Sequence, residues 1–568
     1  MRGNLLNMIR TSRFVLAAIV MGLLWLIALP SNAQMYRWGG GGGGGMGGGG
    51  MTGTTLTTFE TADFSGSGAC AFCHSQLTDS TGKDVSIDAH WRSTMMANAA
   101  KDPLWQAKIS SEVKRTPGLQ AAIEEKCSRC HMGMARYQDL TNGTSEGKIK
   151  VLGTGYLAST HPLHAAAMDG ISCTLCHQVQ PESLGTEAVF TGQYAIDTST
   201  STPYRLAFGP YDQPVQNPME MHSGFSPVPG DHVAGSALCS PCHTLYTPYV
   251  DASGTVKGEF PEQTTYLEWE HSGRVKSCQG CHMPDAGSVV ISNRPWWLSP
   301  RSPFGQHHFV GANSFMVNLI KSNAATLGAT ADPAHFDATI ARTDTMLQSR
   351  TGGLDLVSTS LESGVLNFTL KVQNMAGHKF PSGIPARRAW LHVTVTDSKN
   401  RVVFESGKPQ DDGSIIGNDA DIDASKFEPH YDVINSADQV QIYEPVMDDS
   451  DGNVTYTLLR AAAYAKDNRL IPSGFAKSSA SSDIAVVGDA AGDSNFIAGE
   501  DQITYQVQLS NAPSGTLTVK AELLYQAVSY RFARDLSRDS TDLVMRFKSM
   551  YDAAGKVPKL VATVQTSL

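Results

Sequence analysis

All ten cysteines of this 568-residue sequence, and five of its seventeen histidines, are used in one spelling, Cys-x-x-Cys-His. The copies are Cys70, Cys73 and His74; Cys127, Cys130 and His131; Cys173, Cys176 and His177; Cys239, Cys242 and His243; and Cys278, Cys281 and His282. Two thiols at that spacing can each add across a vinyl group of one haem, and a histidine directly after the second can turn back to bind the iron. Paired cysteines also build zinc ribbons, dithiol centres and disulfides, but none of those explains a histidine after every pair. The pattern implies five covalent haem c groups.

Each iron then needs a second axial ligand, and twelve histidines lie outside the motifs. A helix expected over residues 86–101 carries His90 near its start and ends at Asp102-Pro103, which makes His90 a candidate. Thr160 can cap a short helix holding His161 and His164 on neighbouring parts of one face. His161 precedes proline, so His164 is the preferred ligand, and its place nine residues before Cys173 suggests that it completes the third motif. Before the fourth motif a Pro/Gly-rich loop offers His222 and His232, with His222 preferred. Thr265-x-x-Glu268 reads as a capping box whose helix ends at a solvent-facing His271. After the fifth motif His307 and His308 point in different directions, and His308 is preferred. Met132, Met134 and Met283 are alternative ligands, but methionine is common as packing, and spare histidines favour bis-histidine ligation.

The elements that must position these groups fall into two halves. Asp332-Pro333 opens a helix that Gly352-Gly353 ends, and there the apolar period changes. Leu366, Phe368, Leu370 and Val372 alternate with polar residues, as do Leu391, Val393 and Val395, then Ile503, Tyr505, Val507 and Leu509, then Leu517, Val519, Ala521, Leu523 and Tyr525. Alternation of this kind marks half-buried strands, so residues 354–568 are expected to form an antiparallel β-sandwich of immunoglobulin-like type. Residues 64–353 are expected to form a mostly helical and irregular pentahaem domain, giving a multidomain α+β chain. Asp451-Gly452 reads as a hairpin turn, and the acidic runs Asp448-Asp449 and Asp419, Asp421 and Asp423 as solvated loops with calcium as the rarer alternative. His378, between glycine and proline in the 374–383 loop, is placed to leave its own sheet and reach a haem of the first half.

Arg2, Arg10 and Arg13 precede an apolar run over 14–29 and the small residues Ser31-Asn32-Ala33, the form of a cleaved secretory leader over 1–33. The apolar run is short for a membrane span, so no stable membrane anchor is expected. Residues 34–63 contain a glycine tract that reads as a flexible linker. Export suits covalent haem attachment and places the chain in the periplasm or at the cell surface. A formal charge of −10 argues against nucleic acid as a partner.

The stretches HWRSTMMANAAKDPLW, DGISCTLCHQ, EQTTYLEWEHS, SCQGCHMP and HHFVGANSFM resemble exported multihaem c-type cytochromes, related in style to the hydroxylamine oxidoreductase-like class. The likeness covers roughly residues 60–320, and GHKFPSGIPARRAWLHV resembles, more weakly, the β-rich tails of such proteins. It implies closely packed, mostly bis-histidine haems that carry electrons, with His90, His164 and His308 in the matching stretches; His271 stands where a small polar residue is expected.

Electron relay to or from a redox partner or external acceptor is therefore the expected function. Two alternatives differ in kind. One is an oxidoreductase acting on a small nitrogen or sulfur compound at a five-coordinate haem, which needs proton donors around an open iron position. The other is self-assembly into a cytochrome filament. A Cys-x-x-Cys-Lys motif, the mark of a pentahaem nitrite reductase, is absent.

Overall fold

The first half mixes long helices such as Pro103–Arg115 and Gln120–His131 with stretches where side chains compete with the backbone ladder. The helix expected over 86–101 is regular only over Ile87–Trp91. Beyond it Asn98 Nδ2 donates to the carbonyls of Arg92 and Thr94, and Thr94 Oγ1 accepts the Ala97 N–H, so the chain continues as turns. Thr160 likewise opens a turn containing His161, and the helix itself is His164–Met168. The computed structural model describes residues 56–143, 149–509 and 515–568. The expected leader and the glycine tract lie outside these residues.

The motifs sit at helical turns. Helices Ser67–His74, Gln120–His131, Ser240–His243 and Cys278–His282 end on their motif histidines, and Cys173–Cys176 stops one residue earlier. A single helical turn puts the two cysteines of each motif on one face. The apolar side chains between them, including Ile109, Ile123, Met132, Met134, Tyr156 and Leu175, form a buried cluster against which Cys127, Cys176 and Cys242 pack.

In the second half the alternating stretches are strands. Val365–Asn374 pairs antiparallel with Glu500–Gln508 in the register Leu370 to Ile503 and Phe368 to Tyr505, and the latter two rings stack at 4.9 Å. Arg388–Thr396 lies between Thr518–Gln526 and Val402–Ser406, and Thr518–Gln526 also pairs with Lys559–Ser567. The inward residues of the two sheets share one buried cluster that includes Leu370, Val372, Leu391, Val393, Ile503 and Leu523, and Phe404 of one sheet meets Tyr505 of the other edge-on at 6.2 Å. Asp451-Gly452 turns between strands Pro445–Asp448 and Val454–Thr455, with Gly452 at φ +79°.

This arrangement departs from an all-antiparallel sandwich in two ways. Val433–Ile434 joins Glu500–Gln508 in parallel. Helices Tyr530–Leu536 and Asp542–Ala553 interrupt the chain between the last two strands. Their apolar faces, with Phe532, Leu536, Val544 and Phe547, are buried beside Leu104 and Ala107 of helix Pro103–Arg115. Arg115 of that helix pairs with Asp535 and Asp539 at 2.7 Å each. Its Glu112 carboxylate accepts the backbone N–H groups of Leu458 and Leu459. Residues from Gly53 to Leu568 accordingly cluster as one compact unit, and the boundary expected at 353/354 falls inside strand Gly352–Glu362. Among the described residues no helix is long and apolar enough to cross a membrane.

Candidate functional site

Nitrogen bookkeeping sorts the histidines. A neutral imidazole keeps one lone pair, and a ring whose Nδ1–H donates to a carbonyl offers that lone pair at Nε2 for a metal. Four motif histidines are wired this way: His74 to the Ile291 carbonyl at 2.7 Å, His131 to Ala99 at 2.9 Å, His177 to Phe208 at 2.6 Å and His282 to Val310 at 2.6 Å. Burial holds each of these rings below its ordinary pKa, His131 at about 4. His243 is buried as well and held at about 4, by burial first and then by the neighbouring His282, Arg387 and His378. Trp105 stacks on His131 at 4.4 Å with the planes 6° apart.

Three further histidines share this wiring. His164 donates from Nδ1 to the Tyr156 carbonyl at 2.8 Å, His307 to Gly305 at 3.1 Å and His378 to Lys379 at 2.8 Å. Others have the required nitrogen engaged. His161 accepts the Leu163 N–H at Nδ1, so its proton sits on Nε2. His232 and His271 donate from Nε2 to the carbonyls of Val179 and Ala476. His392 lies between Glu522 and Glu405, 3.1 Å from each. His90 is buried with Nδ1 unpartnered, and His222 is exposed, its ring 6.0 Å from that of Phe72.

The adjacent pair His307-His308 divides in a way not legible from its spelling. Phe309, which follows it, has φ +41°, in the region that non-glycine residues seldom enter. The His307 ring faces His177 with centroids 6.4 Å apart and planes 28° apart. A histidine nitrogen sits about 2 Å from a bound metal and roughly 1.1 Å from its own ring centroid, so two imidazoles on opposite sides of one iron place their centroids roughly 6.2 Å apart. His308, preferred on sequence, instead packs edge-on to His90 at 4.6 Å and turns Nε2 to the Arg342 guanidinium at 3.4 Å. His164 is the ring expected to complete the third motif; the ring contact that His177 makes is with His307.

The loop of His378 packs against the first half through its backbone, at Gly377 and Lys379. Its neighbourhood is fixed by Glu268, buried in helix Thr265–His271: the carboxylate accepts the Lys379 backbone N–H at 3.2 Å, the Ser382 hydroxyl at 2.7 Å and the Arg469 guanidinium at 2.8 Å. Glu268 therefore does not close a capping box from Thr265; the helix is preceded by Thr264, whose hydroxyl donates to Glu268 at 3.2 Å. The Ser272 hydroxyl holds the Gly377 carbonyl at 2.9 Å. Held there, His378 lies close enough to His243 and His282 for its charge to lower the pKa of both.

The ten cysteines are half-buried, and none is joined in a disulfide. They also meet between motifs. Contact with Cys173, ahead of burial, pushes the Cys70 thiol up; Cys130 does the same to Cys242, and Cys278 to Cys239. The first motif therefore adjoins the third, the second the fourth, and the fourth the fifth. Five groups attached at these sulfurs would be neighbours, with spacing set by the protein.

Elsewhere, His430, Asp493 and Asp501 bring ligand-type atoms within 4.8 Å of one another. The His430 Nδ1 accepts from the amides of Gln441 at 2.8 Å and Asn468 at 3.1 Å, so its proton lies on Nε2, facing Asp493 at 3.1 Å. Those amides are oriented by their own bonds, since Gln441 Oε1 accepts the Tyr431 N–H and Asn468 Oδ1 the Glu444 N–H. This tautomer does not suit metal ligation. The acidic runs are also engaged: Asp421 pairs with buried Arg388 at 2.9 Å, and Asp449 with Arg460 at 3.1 Å.

No protein-family model matches the sequence, and no curated protein does. Among solved structures, that of a penta-heme cytochrome c552 from Thermochromatium tepidum is similar at 14% identity and a TM-score of 0.45, over 85% of this chain and 96% of that one.

Proposed function

We propose that this chain is an exported electron carrier with five covalent haem c groups, each held by one Cys-x-x-Cys-His motif. The observation that carries the reading is the pairing of His177 with His307 at 6.4 Å, the separation two ligands of one iron require, in rings whose Nδ1 atoms both donate to carbonyls. Bound haem would supply a one-electron couple at each motif. The chain's own part is to fix the imidazoles, exclude water and set the order of neighbours. His164 and His378 are the next candidates for second ligands; His90 and His222 stay candidates without the carbonyl wiring. In this reading residues 64–353 form the haem module, in the style of the hydroxylamine oxidoreductase-like class. Residues 354–568 form a β-sandwich that lends it His378. Redox proteins or an external acceptor are the partners, met in the periplasm or at the cell surface.

Pyridine haemochrome and intact-mass measurements on protein exported by a haem-attaching host test this directly. Five haems with low-spin ferric signals are expected. Fewer than five, or a dominant high-spin signal with rapid binding of carbon monoxide by the reduced protein, would overturn it.

A further inference from the structure

Among the described residues the three buried arginines, and several half-buried ones, face carboxylates. Arg205 pairs with Asp63, Arg388 with Asp421, Arg469 with Glu268 and Asp467, and Arg115 with Asp535 and Asp539. Arg342, on helix Pro333–Arg350, departs from that pattern. One terminal nitrogen donates to His308 Nε2 at 3.4 Å and the other to the Thr339 hydroxyl at 3.1 Å, while its Nε is buried without a partner. Among the described residues the carboxylate whose charge it feels is Asp84, which makes no ion pair with it and accepts instead from the backbone and hydroxyl of Ser86.

A guanidinium stays charged at any physiological pH, so enclosing it without an anion is unfavourable. Of its five N–H hydrogens three stay unused, one on the nitrogen that meets His308 and two on the other edge: the Nε–H, and a hydrogen on the neighbouring terminal nitrogen beyond the one given to Thr339. Those last two form the parallel fork that grips a carboxylate at two points. Beside it His90 presents a buried, unpartnered Nδ1, its ring 4.6 Å from His308. The residue before His308 is His307, the ring that faces His177.

We propose that Arg342 is the binding group for a haem propionate, that of the haem held between His177 and His307, with His90 as a second donor to the same carboxylate. This rests on the pentahaem reading above. A free oxyanion from solution would offer the same oxygen edge, so the test separates the two sources.

Arg342→Gln and Arg342→Lys are made in the full-length holoprotein. Haem content is counted by pyridine haemochrome, and midpoint potentials are followed by spectroelectrochemistry with and without phosphate and nitrite. With five haems retained, the Gln variant should show one potential moved to a lower value, because an unneutralised propionate favours the ferric state. The Lys variant should recover part of that shift, and neither anion should change the wild-type spectrum. The proposal is overturned if all five potentials are unmoved in the Gln variant. It is equally overturned if phosphate or nitrite perturbs the wild type and the perturbation is lost in Arg342→Gln, which would assign the fork to a free anion. Loss of haem below five in the wild type itself would instead sink the pentahaem reading.

Discussion

Glu268 and Arg469 meet at 2.8 Å with both side chains shut away from water, joining positions 201 residues apart in the chain. Around them Asp467 pairs with Arg469 at 2.8 Å and with Lys379 at 2.7 Å, so four buried charges tie the helix before the fifth motif to the loop that carries His378. Such a cluster does little for net stability by its presence, since desolvating the charges offsets their attraction. Removing one member is different, because the others are left uncompensated.

Glu268→Gln should therefore cost about 3–5 kcal/mol of unfolding free energy. Burial alone would raise the Glu268 pKa, but Arg469 and Lys379 outweigh it and hold the carboxyl below its ordinary value. A depressed folded pKa gives stability that is complete above the unfolded value and lost as the pH falls through the folded one. Thermal unfolding of the wild type between pH 7 and pH 3 should show that acid loss. The Gln variant should begin lower and lack the component; equal melting temperatures at pH 7 would refute the role given to this pair.

The ring spacing leads to a second expectation. His307→Ala should convert one low-spin ferric haem into a high-spin or five-coordinate one, whereas His308→Ala and His161→Ala should leave the count intact. Low-temperature electron paramagnetic resonance reads both. If His308→Ala changes the count and His307→Ala does not, the assignment to His307 fails.

What could and could not be read from the amino acids follows from range. The thioether motifs are contiguous, and the strands 365–374 and 500–508 are written in the period-two alternation of Leu366 to Val372 and Ile503 to Leu509. The choice between His307 and His308 is not local. It depends on the strained backbone at Phe309, on the Gly305 carbonyl that orients His307 and on Arg342 of a later helix that draws His308 away. His164 stands near the third motif in sequence, but sequence distance says nothing about which iron a ring faces. The helices at 530–536 and 542–553 are not among the elements expected from the sequence, although Phe532 and Leu536 stand four residues apart and Val544 and Phe547 three, the spacing of one helical face.

Because His378 belongs to the second half, His378→Ala should remove the second ligand of one haem, that of the fourth or fifth motif, while the sheets stay folded. One low-spin signal lost with an unchanged far-ultraviolet circular dichroism spectrum is expected. Glu268→Gln, which frees the loop without touching the ring, should broaden that same signal. Five unaltered low-spin signals in His378→Ala would show that the loop serves packing alone.

Asp501 supplies the clearest pH-dependent behaviour away from the motifs. Its side chain is inaccessible to water, and Tyr443 donates to its Oδ2 at 2.7 Å while its Oδ1 has no hydrogen-bond partner. Burial first, and then the charges of Asp493 and Asp432, raise its pKa to about 7. The hydrogen bonds from Tyr443 and the Gln502 backbone pull the other way without cancelling this, and His430 beside it is held neutral, at about 4, by its own burial. An acid whose folded pKa lies above its unfolded value binds the proton more tightly when folded. Between about pH 4 and pH 7 the unfolded chain ionises while the native one does not, so the native state loses stability as pH rises through that window. At 1.36 kcal/mol per unit of pKa difference the penalty above pH 7 is on the order of 4 kcal/mol. Asp501→Asn keeps the acceptor for Tyr443 and removes the ionisation. Its stability should match the wild type near pH 4 and exceed it above pH 7, measured by denaturant unfolding across that range. A constant difference at all pH values would mean that Asp501 is ionised in the native protein.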